Sequence, residues 1–87
     1  MAKVEIYSSD WCPFCARAKN LLTKKGIAFE EINVDGNAEA RRAMTVRAGG
    51  RATVPQIFID DEPIGGSDEL AALEQAGELD RKLASPA

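Results

Sequence analysis

The spacing of apolar residues changes period twice between Val4 and Val34, and few folds survive that constraint. Val4, Ile6 and Ser8 alternate with Glu5 and Tyr7, the two-residue repeat of a short strand. From Pro13 the repeat lengthens. Cys15, Ala18 and Leu22, with the adjacent Leu21, fall on one helical face, and Arg17, Asn20 and Lys24 fall on the other. Lys24 and Lys25 suit the negative end of the helix dipole, and Gly26 is the expected stop. Ile27 to Val34 is rich in strand formers. Its alternation slips between Phe29 and Ile32, which a bulge or a late strand start explains. Strand, helix and strand in this order make a βαβ unit, whose two strands are parallel.

Downstream, Asp35-Gly36-Asn37 reads as a turn, with Asn37 capping a second helix through Ala40, Ala43 and Met44 that ends near Gly49-Gly50. Pro55 introduces a strand over residues 56–59. Asp60-Asp61 turns it into a partner strand over 62–65, an antiparallel hairpin. Ser67 is placed to cap a third helix carrying Leu70 and Leu73, with Gly77 as its stop. Residues 78–83 suit one last helical turn, and 84–87 a frayed tail. The order β-α-β-α-β-β-α predicts an α/β fold, a four-stranded mixed sheet with helices on both faces. With 87 residues, one domain spanning 1–87 and one modest core are expected.

The net charge of −3 argues against a nucleic-acid binder, which normally carries a basic patch. No apolar run is long enough to span a membrane. Charges at Lys3 and Glu5 interrupt any signal-peptide core, so no targeting segment is read and a cytoplasmic protein is expected. Histidine is absent, which removes histidine-activated nucleophiles and most ordinary transition-metal sites.

The chain has two cysteines, Cys12 and Cys15, at the junction between first strand and first helix. A disulfide closing so short a loop stabilises a fold by only about 2 kcal/mol in the chain-entropy picture, less than half the value for a long loop. Structural zinc needs four ligands, and this pair supplies two. Reversible redox chemistry fits better. Residues i and i+3 of a helix lie about one turn apart on one face, within disulfide reach.

Their roles differ by position. Cys12 falls at the helix N-terminus beside unpaired backbone N–H groups, and Pro13 occupies the first helical position, where its missing N–H costs nothing. The helix dipole contributes about 1 kcal/mol to a thiolate there. Direct N–H···S bonds from Phe14 and Cys15, with a cation such as Arg17 or Lys19, are needed for a larger effect. Cys12 is therefore the expected nucleophile. Cys15, one turn in on the apolar face, is the resolving thiol.

These residues resemble the dithiol glutaredoxins over nearly the whole chain. Cys12-Pro13-Phe14-Cys15 resembles that family's Cys-Pro-aromatic-Cys motif, Thr53-Val54-Pro55 its Thr-Val-Pro loop, and Gly65-Gly66-Ser67-Asp68 its glycine-pair helix start. The resemblance implies a thioredoxin-like fold and glutathione-dependent reduction of protein–glutathione mixed disulfides and protein disulfides. Glutathione would be a reducing cosubstrate, with no tightly bound cofactor and no metal, and the protein a monomer. Pro55 would be cis and face Cys12, leaving the Val54 backbone free to pair with glutathione's cysteine as an added strand would. The free N–H groups at Ser67, Asp68 and Glu69 would hold the γ-glutamyl carboxylate, while Asp68 or Glu69 takes the ammonium.

Three departures bear on partners. Many members have a lysine where this chain has Ser9, so the glycyl carboxylate must meet another cation, Arg41 first and Arg51 next. The family commonly has Asp at the position of Glu69. Trp11 before the first cysteine is more usual in thioredoxins, where an indole either covers the sulfur or widens what it accepts. Two other readings stay open on this basis. One is a redoxin fed by thioredoxin reductase, towards which Trp11 and Ser9 lean. The other is a module holding an iron–sulfur cluster between two chains, against which Pro13 and Cys15 weigh.

Overall fold

A computed structural model describes residues 2–84, so the expected tail beyond Ala84 lies outside the described residues. The elements run β1 (Val4–Ser8), α1 (Pro13–Lys24), β2 (Glu30–Asn33), α2 (Ala38–Arg47), β3 (Gln56–Ile59), β4 (Glu62–Gly65), α3 (Ser67–Gln75) and α4 (Glu78–Leu83). The sheet order is β2-β1-β3-β4, with β1 parallel to β2 and antiparallel to β3, and β3 antiparallel to β4. This is the predicted four-stranded mixed sheet, and the last helical turn expected over 78–83 is α4.

Period-two alternation splits the core between the two faces of the sheet. Val4, Ile6, Ile57 and Ile59 pack with Ala18 and Leu22 of α1, Leu70 of α3 and Leu79 of α4. Tyr7 and Phe58 point the other way, onto Met44 of α2 and onto Val34, which follows β2. The slipped alternation before Ile32 resolves as a late start, because β2 begins only at Glu30. Asp60 and Asp61 both take positive φ, 51° and 67°, as a two-residue hairpin turn requires. Aspartate tolerates that region better than most side chains.

Because helices cover both faces, β1 has no solvent side, and all five of its residues are buried. Two of them are polar and each finds a partner. Glu5 accepts from Arg47 of α2 at 2.8 and 3.3 Å, and Arg47 also stacks on Phe58, 4.1 Å from the ring centroid. On the opposite face Ser8 Oγ donates to Glu31 at 2.6 Å, and Lys19 donates to the same carboxylate at 2.8 Å. Lys25 ties the end of α1 to Glu74 and Asp80, at 2.9 and 2.6 Å, holding α3 and α4 against it.

One local expectation is corrected. Ser67 does not cap α3; it is the first helical residue, and Gly66 is the N-cap. The Gly66 N–H donates to Glu69 Oε1 at 2.6 Å, so the glutamate side chain reaches back from the first turn. That exchange leaves the Ser67 hydroxyl unused by the cap.

Candidate active site

β1 delivers the chain into the start of α1, and Cys12 is the N-cap residue, with φ −131° and ψ 99°. Its sulfur accepts from the Cys15 N–H at 3.1 Å, and Pro13 stands at the first helical position. Of the two amides expected to meet this sulfur, Cys15 provides the bond; Phe14 makes none among the described residues. The two cysteines are paired as a disulfide with Cα atoms 5.1 Å apart. Cys15 is only 1% exposed while Cys12 reaches the surface, which separates an accessible sulfur from a sheltered one. Trp11 is 96% exposed and so does not cover Cys12; Phe14 is half exposed.

The Val54–Pro55 peptide is cis, and the Val54 carbonyl oxygen lies 3.8 Å from Cys12 Sγ. Among the described residues the Val54 N–H has no backbone partner. Gln56, fully buried at the head of β3, donates to Thr53 Oγ1 at 3.2 Å and steadies the loop. Sequence reasoning missed that role, although an amide opening an otherwise apolar strand is a visible signal.

A cleft of about 150 Å³ opens beside this loop. One wall is Phe14 with Thr53, Val54 and Pro55; the other is the N-terminus of α3, from Gly66 to Glu69, with Arg51 at the edge. Of the residues singled out in the sequence, the structure brings Thr53, Val54, Pro55, Ser67, Asp68 and Glu69 together here. It does not bring Arg41. That guanidinium turns to the loop and donates to the Ala52 carbonyl at 3.0 Å, outside the cleft, and Arg51 stands at the edge instead.

Charges at the mouth divide clearly. Glu69 is engaged by the Gly66 N–H and by Arg51 at 3.5 Å, and its carboxyl is held below the ordinary range, first by that backbone bond. Asp68, by contrast, makes no ion pair or side-chain hydrogen bond among the described residues and remains exposed. Ser67 is 5% exposed, and its hydroxyl has no partner among the described residues. A buried hydroxyl is rarely left unpaired. This one belongs to a residue that lines the cleft, at the start of a helix whose first N–H groups lack intrahelical partners. Gly65 is required here, since its φ is 113° and a Cβ would come within 2.8 Å of Glu69 Oε1.

The sequence and the fold have close counterparts. The family model for glutaredoxin matches residues 4–64. Glutaredoxin 3 of Escherichia coli is 55% identical over 83 residues, covering 95% of this chain and 99% of that protein. The solution structure of a glutaredoxin from Brucella melitensis superimposes with a TM-score of 0.80 at 46% identity, covering 98% of this chain and 94% of that one. A buckwheat glutaredoxin–glutathione complex superimposes at 0.84 with 27% identity, covering 94% of this chain and 76% of that one.

Proposed function

Since the chain belongs to the glutaredoxin family, with a dithiol Cys-Pro-Phe-Cys site, it is a thiol–disulfide oxidoreductase, and we propose how its own residues run that chemistry with glutathione. The Cys12 thiolate attacks the glutathione sulfur of a protein–glutathione mixed disulfide. A new Cys12–glutathione disulfide forms, and the protein thiolate leaves and takes up a proton. A second glutathione thiolate then attacks that disulfide, releasing glutathione disulfide and restoring Cys12. The cycle consumes one glutathione thiol and yields one protein thiol, the other half of the glutathione disulfide coming from the substrate itself. For a disulfide within a protein, Cys12 attacks one sulfur and frees the other as a thiolate. Cys15 then attacks the enzyme–substrate bond from inside, expelling the second substrate thiolate and forming the Cys12–Cys15 disulfide, which two glutathione thiols reduce as they become glutathione disulfide.

Binding uses the cleft. The Val54 N–H and C=O pair with the backbone of glutathione's cysteine and hold its sulfur beside Cys12, and Thr53 and Pro55 shape that wall. The α3 N-terminus receives the γ-glutamyl carboxylate, with the Ser67 hydroxyl donating to it. Asp68 takes the ammonium, because Glu69 is already engaged by Gly66 and Arg51. Arg51 meets the glycyl carboxylate, and Arg41 acts at one remove by bracing the loop at Ala52. The protein works as a cytoplasmic monomer, on proteins bearing glutathione or a disulfide; among the described residues no helix is long and apolar enough to cross a membrane.

The single observation that carries this reading is the unpartnered, buried Ser67 hydroxyl at the helix start. Replacing it with alanine strands no protein group, so folding should be unaffected. A hydrogen bond to a charged group contributes about 1.5–3 kcal/mol, so Ser67→Ala should raise KM for a glutathionylated substrate about tenfold or more with little change in kcat. Asp68→Asn should act in the same direction, more weakly. An unchanged KM in both variants would remove the γ-glutamyl end from this cleft.

A further inference from the structure

The molecule has a second depression beside α1. It is a groove of about 590 Å³ along the seam of α1 and α3, with an apolar floor of Pro13, Ala16, Leu21 and Ala71. Its polar lining is Arg17, Asn20 and Lys24, with no carboxylate among them. Pro13 follows Cys12 directly, and the Arg17 guanidinium lies 5.5 Å from the centroid of the Phe14 ring that walls the glutathione cleft. Groove and cleft share no lining residue, but Pro13 of one and Phe14 of the other are consecutive and directly follow the reacting cysteine.

The groove carries positive charge on an acidic molecule. The chain has 14 acidic and 11 basic residues. Among the described residues most of the cations are neutralised by ion pairs: Lys3, Lys19, Lys25, Arg47, Arg51, Arg81 and Lys82 each have a carboxylate within 4.0 Å. Arg17, Lys24, Arg41 and Arg42 have none among the described residues, and the first two line this groove. An uncompensated pair of cations over an apolar floor, on an acidic protein, is complementary to one kind of partner.

We propose that the groove is a substrate-recognition surface, which holds an extended segment of the polypeptide undergoing thiol exchange. That segment carries acidic side chains for Arg17 and Lys24 and an apolar side chain between them for Leu21 and Ala71. The inference rests on the proposed exchange at Cys12 and adds the part of the partner that lies beyond the glutathione moiety. Helix rise puts Arg17 roughly 7–8 Å and Lys24 roughly 18 Å along α1 from Cys12. An extended chain covers about 3.3 Å per residue, so the acidic positions fall about two and about five to six residues from the reacting cysteine.

The test uses two glutathionylated peptides that differ only at those two positions, Glu in one and Lys in the other, with the glutathione–cysteine mixed disulfide as a substrate lacking any flank. Wild-type protein at low ionic strength should favour the acidic peptide in kcat/KM by about three- to tenfold, and salt should shrink the preference. Lys24→Glu should abolish or invert that preference, and Asn20→Lys should enlarge it. Neither should alter the rate on the unflanked substrate. Comparing variants on the same two peptides cancels any difference in peptide reactivity. A preference that is absent, or that neither substitution moves, overturns the groove as a recognition surface, as would equal loss on all three substrates in the variants. Wild-type protein inactive on every one of them would instead overturn the glutathione chemistry, and this inference with it.

Discussion

Cys15→Ser is expected to keep most of its activity on a glutathionylated protein and lose most of it on a protein disulfide, whereas Cys12→Ser should lose both. The split follows from what each sulfur can reach. Cys12 sits at the helix start, at the surface, with the Cys15 N–H on its sulfur and the Val54 carbonyl 3.8 Å away. It needs only an incoming glutathione to complete a cycle on a glutathionylated substrate. A protein disulfide leaves Cys12 joined to a bulky partner that outside thiols approach slowly. Cys15 can attack that bond at the high effective concentration of an intramolecular group, with its Cα 5.1 Å from that of Cys12. The loss on the second substrate should therefore reach several hundredfold or more, given roughly 10⁵ M as the lower end of effective molarities for well-oriented groups. Parallel assays of both variants on the two substrates decide it. A folded Cys15→Ser protein inactive on the glutathionylated substrate would favour a thioredoxin-reductase-fed enzyme.

The second large effect is on stability. Arg47→Met keeps most of the side chain's length but leaves the Glu5 carboxylate, whose side chain is 8% exposed, with only Lys3 at 4.0 Å. Stranding a buried charge costs about 3–5 kcal/mol; with Arg47 itself partly exposed, about 2–3 kcal/mol is expected, or a Tm lower by roughly 10–20 °C. The pH dependence identifies the cause. Hydrogen bonding from Arg47 holds the Glu5 carboxyl below its ordinary range. Its contribution is therefore present above the unfolded value, about pH 4.3, and is lost as pH falls through the folded one. Without Arg47, burial pushes the carboxyl up instead, so the variant is penalised as pH rises. The gap between wild type and variant should be widest near neutrality and narrow towards pH 4. Denaturant titrations at several pH values measure it. A gap independent of pH would mean that the cost is lost packing on Phe58 rather than a stranded charge.

Arg47 also marks where sequence reasoning stops. Helices and strands were legible where period and punctuation agreed: the switch at Pro13, the Asn37 cap, whose side chain accepts from the Ala40 N–H at 3.0 Å, and the glycine stops at Gly26 and Gly77. Those signals act over a few residues. Glu5 and Arg47 are separated by 42 positions and meet only because α2 covers the face of β1 that Glu5 shares with Tyr7. Nothing local distinguishes Arg47 from the arginines at 41 and 42. For the same reason the choice between Arg41 and Arg51 was not readable, since it depends on which guanidinium the loop carbonyl of Ala52 captures. Asp68 and Glu69 are equivalent as sequence. They part only when the Gly66 N–H takes Glu69. The order of the Cys12, Thr53 and Ser67 motifs was legible because each is a short run with its own backbone demands, and the sheet order brings the three together.

The central claim is that electrons reach Cys12 and Cys15 from glutathione, through the cleft between the Val54 loop and the α3 N-terminus. Reduction of the Cys12–Cys15 disulfide can be followed with either glutathione and glutathione reductase, or thioredoxin reductase, as the supply, both drawing on NADPH. Rapid turnover with the glutathione system, lost in Cys12→Ser and weakened in Ser67→Ala through KM, is the result expected. Turnover with thioredoxin reductase alone, and none with glutathione, would contradict it.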